Sequence, residues 1–502
     1  MPDNNVKMSD KLISMISPKW AAQRLAYRQA FDEMRNYDVG DNSRLNANWR
    51  VANSSGEFAD RSSRDIVRAR ARDLERNSDM MNGVVSAWVR NIIGRGRILQ
   101  VQTEDTELNK QISELWKRWC KARNCDVTGS QTFNQILRTA VRRKKVDGGV
   151  LFVKRYTDYG MVPFQLQMLE VDELDVNQYE PKHKGNKVVG GIEYTKYNRP
   201  VGYYFRTYSL DGIELLKEPV FVEAKDVIFY FSKTRFSQVR EMSEQAPIMK
   251  RIRDANEFIS AVSVKERIMA CLSVFIKRQL PQAGGLGRAS NGDASGSKRQ
   301  QYAGKTLSPG MMMELNSGDE VQVVNPTGQA TDAASHVRMH QRLIGAGSGL
   351  SYEATSRDVS QTNYSSSRLA IIEDGETFSE DNESIEAIMD EVYETFVISC
   401  ILAGLLSIKD FWNNKDKYFA HKWIKAPKPW IDPAKEANAN KIAVETGEKT
   451  FIDLCAENGK DWRDSIDDIA AANEYAAEKG VDMSNLRGGG NSVQSSKQSN
   501  EE

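Results

Sequence analysis

A chain of 502 residues with 69 basic and 69 acidic side chains has a formal charge of zero, and 27% of its residues are charged. That length holds more than one structural unit, while the charge balance argues against tight general gripping of nucleic acid and no apolar run is long enough to cross a bilayer. Five cysteines without a repeated spacing, Cys120 and Cys125 included, argue against a disulfide framework or a zinc cluster and for reduced thiols in a cytosolic setting. Residues 1–11 are polar, so no secretory leader is expected. Residues 1–60 read as an arm, with one modest amphipathic piece at 20–34 followed by a stretch rich in Gly, Asn and Ser. Next, Arg61, Arg64, Arg68, Arg70, Arg72 and Arg76 decorate a helical segment that runs on through Val85, Trp88, Val89 and Ile92 to Gly94. With Asp65, Asp73 and Glu75 interleaved, a solvated charged face is the ordinary expectation; a subunit or nucleic-acid contact is the sharper one.

From about residue 97 to 237 the pattern is mixed. Residues 108–121 predict a helix with Ile112, Leu115, Trp116 and Trp119 inward, and 133–146 predict another. After Asp147-Gly148-Gly149 the period changes, and aromatic and β-branched residues predict strands at 150–156, 162–169, 188–197, 202–208 and 227–231. Asp158, Asn198 and Asp211 open the turns between them. The class expected is α+β, predominantly helical.

Residues 243–406 organise the chain. Ile248, Ile252, Ala255, Ile259, Val262 and Met269 form one stripe of an amphipathic helix, and Pro247 stands where its missing N–H is harmless. Residues 283–304, mostly Gly, Ala, Ser, Gln and Asn, bury too little to offset ordering entropy and are expected to be mobile. A second helix carries the stripe Met339, Leu343, Ala346 and Leu350, with Arg338 and Arg342 four residues apart on another face. Residues 352–366 lack apolar periodicity. A very long helix is then predicted at 367–403, with Phe378, Ile385, Met389, Val392, Phe396 and Ala403 as its buried rail, spanning roughly 55 Å at 1.5 Å per residue. Beyond 406 come an aromatic-rich run at 411–430, helices from about 433, 451 and 470, and a polar tail from 487 expected to be disordered.

Catalytic and cofactor patterns fail on spacing. Gly447-Glu448-Lys449-Thr450 lacks the upstream glycine of a phosphate loop, and Gly345, Gly347 and Gly349 follow a helix where a dinucleotide turn needs a strand. His336 and His340 lie one helical turn apart without the glutamate of a zinc protease, so polar helix-face histidines are the expectation. Asp381, Glu383, Glu386, Asp390 and Glu391 predict a solvated face or pairing between subunits. No nucleophile with a partnered base is present in the pattern. No enzyme, cofactor or metal is expected.

The chain resembles the portal proteins of lambda-type tailed bacteriophages. The resemblance rests on Arg68-Ala69-Arg70-Ala71-Arg72-Asp73-Leu74-Glu75-Arg76-Asn77, Asn91-Ile92-Ile93-Gly94-Arg95-Gly96, Asp147-Gly148-Gly149 and Arg235-Phe236-Ser237-Gln238-Val239-Arg240. It continues in Leu307-Ser308-Pro309-Gly310, Leu315-Asn316-Ser317-Gly318-Asp319, Tyr352-Glu353, Asp358, Asn363-Tyr364-Ser365-Ser366-Ser367-Arg368 and Trp430-Ile431-Asp432-Pro433-Ala434-Lys435-Glu436, covering about 61–461 in order. Arg240-Glu241-Met242 departs from the family's usual Arg-Gly and apolar residues. The resemblance implies a portal-type fold assembled as a ring, usually a dodecamer, at one capsid vertex, through which double-stranded DNA is packaged and ejected. It implies an arm at 1–60, an α+β wing at 61–242, stem helices at 243–277 and 333–350, and a clip at 278–332. It further implies a tunnel loop at 351–366, a wing helix at 367–406, a wing return and crown at 407–486, and a tail at 487–502. Arg338 and Arg342 would face DNA in the channel, as would Tyr352, Arg357, Asp358, Asn363, Tyr364 and Ser365 of the loop. Arg288, Lys298, Arg299 and Lys305 of the clip would dock terminase and later the head-completion or tail adaptor proteins. Other implied partners are the major capsid protein or scaffold, in a virion assembled in the host cytoplasm and without a membrane. A packaging nuclease and another capsid-associated structural protein are the alternatives.

Overall fold

Arg64, Arg68 and Arg72, spaced one turn apart on the first long helix, turn inward, and carboxylates of the α+β region meet Arg68 and Arg72. The computed structural model describes residues 53–206, 218–271, 275–276, 313–314, 333–360, 362–425 and 433–481, with isolated positions between 13 and 27. Most of the arm, the turn at Asp211, the insert 283–304 with Arg288, Lys298, Arg299 and Lys305, the motifs at 307–310 and 315–319, and the tail 487–502 lie outside the described residues. The chain divides into two units, 1–59 and 60–502. Every helix and strand from Arg64 to Glu478 belongs to the second.

Helices α1 (Arg64–Asn77) and α2 (Asp79–Ile92) meet at Ser78, whose N–H reaches the Leu74 carbonyl at 2.8 Å while its hydroxyl accepts from the Met81 N–H. A single residue thus closes one helix and caps the next. Strand β1 (Arg97–Val101) follows, then α3 (Thr106–Trp119), capped by Asp105, and α4 (Phe133–Asp147), started by a reciprocal Thr132–Gln135 capping box. Strands β2 (Gly149–Arg155), β3 (Gln165–Leu169), β4 (Lys187–Val189), β5 (Ile192–Tyr194), β6 (Pro200–Phe205), β7 (Val220–Glu223) and β8 (Val227–Phe231) make two antiparallel sheets, ordered β3-β2-β8 and β4-β5-β6-β7. Helix α5 (Ala246–Cys271) follows the sheets, α6 (Ala333–Ser348) packs back along it, and short α7 (Tyr352–Ser356) leads to α8 (Tyr364–Leu402). Strand β9 (His421–Lys425) pairs antiparallel with β1, placing Val101 opposite His421. Helices α9 (Pro433–Glu445), α10 (Phe451–Glu457) and α11 (Trp462–Glu478) complete the described chain.

Aromatic rings hold α3, α4, α8 and β9 together. Trp116 stacks on Trp119 with centroids 5.0 Å apart and meets Phe133, Tyr393, Phe396 and Trp423 within 5.8 Å. Trp119 stacks on Phe164 and donates its indole N–H to the Phe164 carbonyl at 3.0 Å, so its one polar group is satisfied inside the core. The rail of α8 is buried at Phe378, Ile385, Met389, Val392 and Phe396, but Ala403 lies past the helix end and is exposed. The helix also begins three residues earlier than its pattern predicts, because the Asn363 side chain accepts from the Ser366 N–H at 2.8 Å.

The charged faces correct two expectations. Arg64 and Arg68 are buried and Arg72 half-buried, whereas Arg70 and Arg76 are exposed. Arg72 reaches Asp147, Glu170 and Asp172 at 2.6–3.0 Å, and Arg68 reaches Asp65, Asp172 and Glu241 at 2.6–3.0 Å. Except for Asp65 these carboxylates come from distant sequence, which is why the local pattern reads as a solvated face. Four of the five acidic residues singled out on α8 are likewise paired within the chain, while Glu383 is exposed as its pattern predicts. Asp381 pairs with buried Lys144 and Lys145, Glu386 with Arg97, Asp390 with His421 and the Trp423 indole, and Glu391 with Lys154.

Burial opposes ionisation of Asp381, but the charges and hydrogen bonds of Lys145 and Lys144 outweigh it and hold the carboxyl below its ordinary range. The same balance, set by Arg142 and Arg143, lowers Glu75. A carboxyl depressed on folding contributes stability that is complete above its unfolded pKa and is lost as pH falls through the folded one. Urea midpoints should therefore fall steadily as pH drops from about 5 toward 2. Asp381→Asn should be less stable at neutral pH and show a shallower acid limb. An identical limb in that variant would remove Asp381 from the acid response.

Candidate nucleic-acid interface

Two packed helices and a short third one form the candidate surface. Helix α6 packs on α5, with the His336 ring 4.4 Å from Phe258 and the two histidine rings 4.6 Å apart. Gly347 permits this approach, since a Cβ there would stand 2.6 Å from a methyl carbon of Ile248, and Gly349, at φ +72°, ends the helix. Close packing, not a nucleotide turn, explains the spaced glycines. On α5 the rail is buried at Ile248, Ile252 and Ala255, but Ile259 is exposed; the Met269 side chain lies outside the described residues. On α6 the predicted stripe is divided. Leu350 is buried along with Ile344, while Met339 is 50% and Leu343 39% exposed and Ala346 is exposed too.

The next turn is not the irregular loop that its sequence predicts. The Ser351 hydroxyl accepts from the Ala354 N–H, opening α7, and Ser351 also donates through its backbone and hydroxyl to Asp374 of α8 at 2.7 and 2.6 Å. Arg357, at φ +59°, closes α7 with an N–H to the Glu353 carbonyl at 2.9 Å. Here the structure brings together Arg338, Arg342, Tyr352 and Asp358. The Tyr352 hydroxyl donates to Asp358 at 2.9 Å, and the exposed Arg342 guanidinium lies 5.7 Å from the Tyr352 ring centroid. Hydrogen bonds from Ser360 and then Tyr352, with the Arg338 charge nearby, bring the Asp358 carboxyl down to about 2. Asp358 is thus anionic throughout the physiological range and offsets part of the positive charge beside it.

Asn363 caps α8, and Tyr364 and Ser365 form its first turn; the Tyr364 side chain lies outside the described residues. Arg357 is exposed and lies near Arg90, whose pKa is lowered by burial and then by the Arg357 charge. Such an array can hydrogen-bond phosphate oxygens and has no built means of reading bases. Among the described residues no group of three or more His, Cys, Asp or Glu side chains is arranged to hold a metal ion. The Cys125 thiol is buried and donates to backbone carbonyls of Cys120 and Gln131, and burial pushes it up to about 12, the state of an inert structural thiol.

A second cluster is not legible in local sequence. Arg240 and Glu241, 1% and 0% exposed, form a buried pair at 2.7 Å. Arg240 also donates to the carbonyls of Gly190 and Val171, while Glu241 accepts from Arg68 and its backbone carbonyl accepts from Arg64. The one signal available is the departure at 240–242 from the family pattern. This knot anchors the segment that feeds α5.

The family model for phage portal proteins of the lambda family matches residues 42–381. A protein described as "Probable portal protein" from Halomonas phage phiHAP-1 is 23% identical over 451 residues, covering 87% of this chain and 86% of its own. Among solved structures, a chain of the virion of a native gene transfer agent particle is 13% identical with a TM-score of 0.34, the match covering 80% of this chain and 99% of that one. A chain from the neck of an empty particle of that kind is 14% identical with a TM-score of 0.33, covering 76% and 90% respectively.

Proposed function

The chain belongs to the lambda family of phage portal proteins, and from that premise we propose that its copies close into a ring, a dodecamer by preference, whose bore conducts double-stranded DNA during packaging and ejection. The observation that supports the ring most directly is the outward apolar face of α6, Met339, Leu343 and Ala346, together with Ile259 of α5. A lone subunit would leave that surface in water; a neighbour related by rotation would cover it. On this reading α5 and α6 are the stem, residues 61–242 and α8 the wing, the helices after 433 the crown, and 278–332 the clip that meets terminase and then the head-completion proteins. The role is structural, with ATP hydrolysis left to the terminase. Averaged electron micrographs of the purified protein should show rings with a central hole. A monodisperse single subunit under all assembly conditions would overturn the reading.

Arg338, Arg342 and Tyr352 would line the bore, with Asp358 limiting the grip so that DNA can still slide. Arg338→Glu combined with Arg342→Glu is expected to leave ring assembly intact and to reduce DNA packaged or retained per head by at least about tenfold, because each reversal replaces a phosphate contact by repulsion. Heads filled to normal length by the double variant would exclude these arginines from the bore.

A further inference from the structure

At one end of the β4-β5-β6 sheet, three cations surround one depression without a carboxylate among them. The loop before β4 and the turn between β5 and β6 enclose an open hollow of about 450 Å³, lined by Lys184, Gly185 and Asn186 on one side and by Thr195, Lys196, Tyr197 and Arg199 on the other. Both walls are fixed from beneath. Glu193, fully buried, accepts from the N–H groups of Lys182 and His183 at 2.9 and 3.1 Å, from the Asn186 amide at 2.7 Å and from the Tyr204 hydroxyl at 2.8 Å. Across the hollow, the Thr195 hydroxyl accepts from the N–H groups of Tyr197 and Arg199, and Asn198 takes the left-handed conformation, φ +60°, that the tight turn requires.

None of these bonds engages a cationic head. Among the described residues no carboxylate lies within ion-pair distance of Lys184, Lys196 or Arg199, in contrast to Arg68, Arg72, Lys144 and Lys145 in the same α+β region. Tyr197 is 80% exposed, and the Lys196 ammonium lies 4.9 Å from its ring centroid. A cradle held from beneath, with three cations that lack a carboxylate partner beside an exposed aromatic ring, in a chain of zero net charge, is a recognition surface.

We propose that this hollow docks an acidic segment of another protein, one or two carboxylates entering between Lys184, Lys196 and Arg199 while a neighbouring apolar side chain lies on Tyr197. Arginine takes a carboxylate in a two-pronged fashion, the lysines act as point charges beside it, and the Asn186 amide adds a neutral donor. A DNA duplex fits the surface less well. Its phosphates form long rows that call for a basic stripe, whereas these charges ring a single depression bounded by two tight turns.

The test uses the whole 502-residue chain and a fluorescein-labelled peptide of alternating glutamate and tyrosine. Anisotropy should give a Kd on the order of 10–100 µM at low salt, weakening several-fold at about 0.15 M salt. Lys184→Glu, Lys196→Glu and Arg199→Glu together should weaken binding by at least roughly tenfold, while the matched triple Lys409→Glu, Lys415→Glu and Lys460→Glu leaves it unchanged. If the first triple does not fold, the three residues changed to glutamine answer the same question with a smaller loss. Absence of binding by the native chain, equal weakening by both triples, or a DNA duplex of equal charge displacing the peptide at lower concentration would each overturn the assignment.

Discussion

Glu241→Ala is expected to destabilise the subunit by about 3–5 kcal/mol, the usual effect of removing one partner from a buried ion pair. Arg68 and Arg240 both direct guanidinium hydrogens at this carboxylate, and all three side chains are withdrawn from water. Alanine would leave two cations facing each other with nothing between them. Solvent reaches the site poorly, so rehydration would require the segment around 241 to lift away from α1. Denaturant midpoints of the purified protein measure the loss. Glu170→Ala provides the contrast, since its pair with Arg72 sits at the exposed rim and should matter by less than about 1 kcal/mol. Equal effects of the two substitutions would show that burial does not govern this network.

Gly148→Ala should cost about 3 kcal/mol, from two sources that add at one atom. Gly148 ends α4 at φ +93°, a region that a residue with a Cβ enters at about 1–2 kcal/mol. The added carbon would also stand 2.4 Å from the Met242 carbonyl carbon and 2.8 Å from the Ser243 nitrogen, a clash with backbone that cannot rotate away. Gly185→Ala, also at positive φ but in open space, carries the first penalty alone. If the two variants melted together, the contact with 242–243 would be unimportant.

Local rules make much of this fold legible. Aromatic spacing marks α3, the four-and-three spacing of apolar residues marks α5 and α8, and Asp147-Gly148-Gly149 marks the change from helix to strand. What those rules miss is long-range. Asp65 apart, the inward arginines of α1 find their carboxylates about 75 to 173 positions away, a pairing that composition cannot reveal. Strands β1 and β9 escape prediction because each is an isolated edge that exists only through the other. At the candidate surface, spacing places Arg338 and Arg342 on one helix, yet their meeting with Tyr352 and Asp358 depends on Ser351 bonding to Asp374, a contact across 23 positions. The outward face of α6 is illegible for a different reason. Periodicity identifies an apolar stripe without saying whether the chain's own body or a neighbour covers it.

The pairing of β1 with β9 bears on how the chain folds as it is made. Val101 leaves the ribosome long before His421 is polymerised, so the first strand waits, its backbone unpaired, through most of translation. Until the late segment arrives the nascent polypeptide offers an open template to any extended stretch nearby, which favours chaperone capture and makes polysome crowding a hazard. Premature stop codons upstream of 421 should for that reason yield insoluble or degraded fragments and not a stable partial fold.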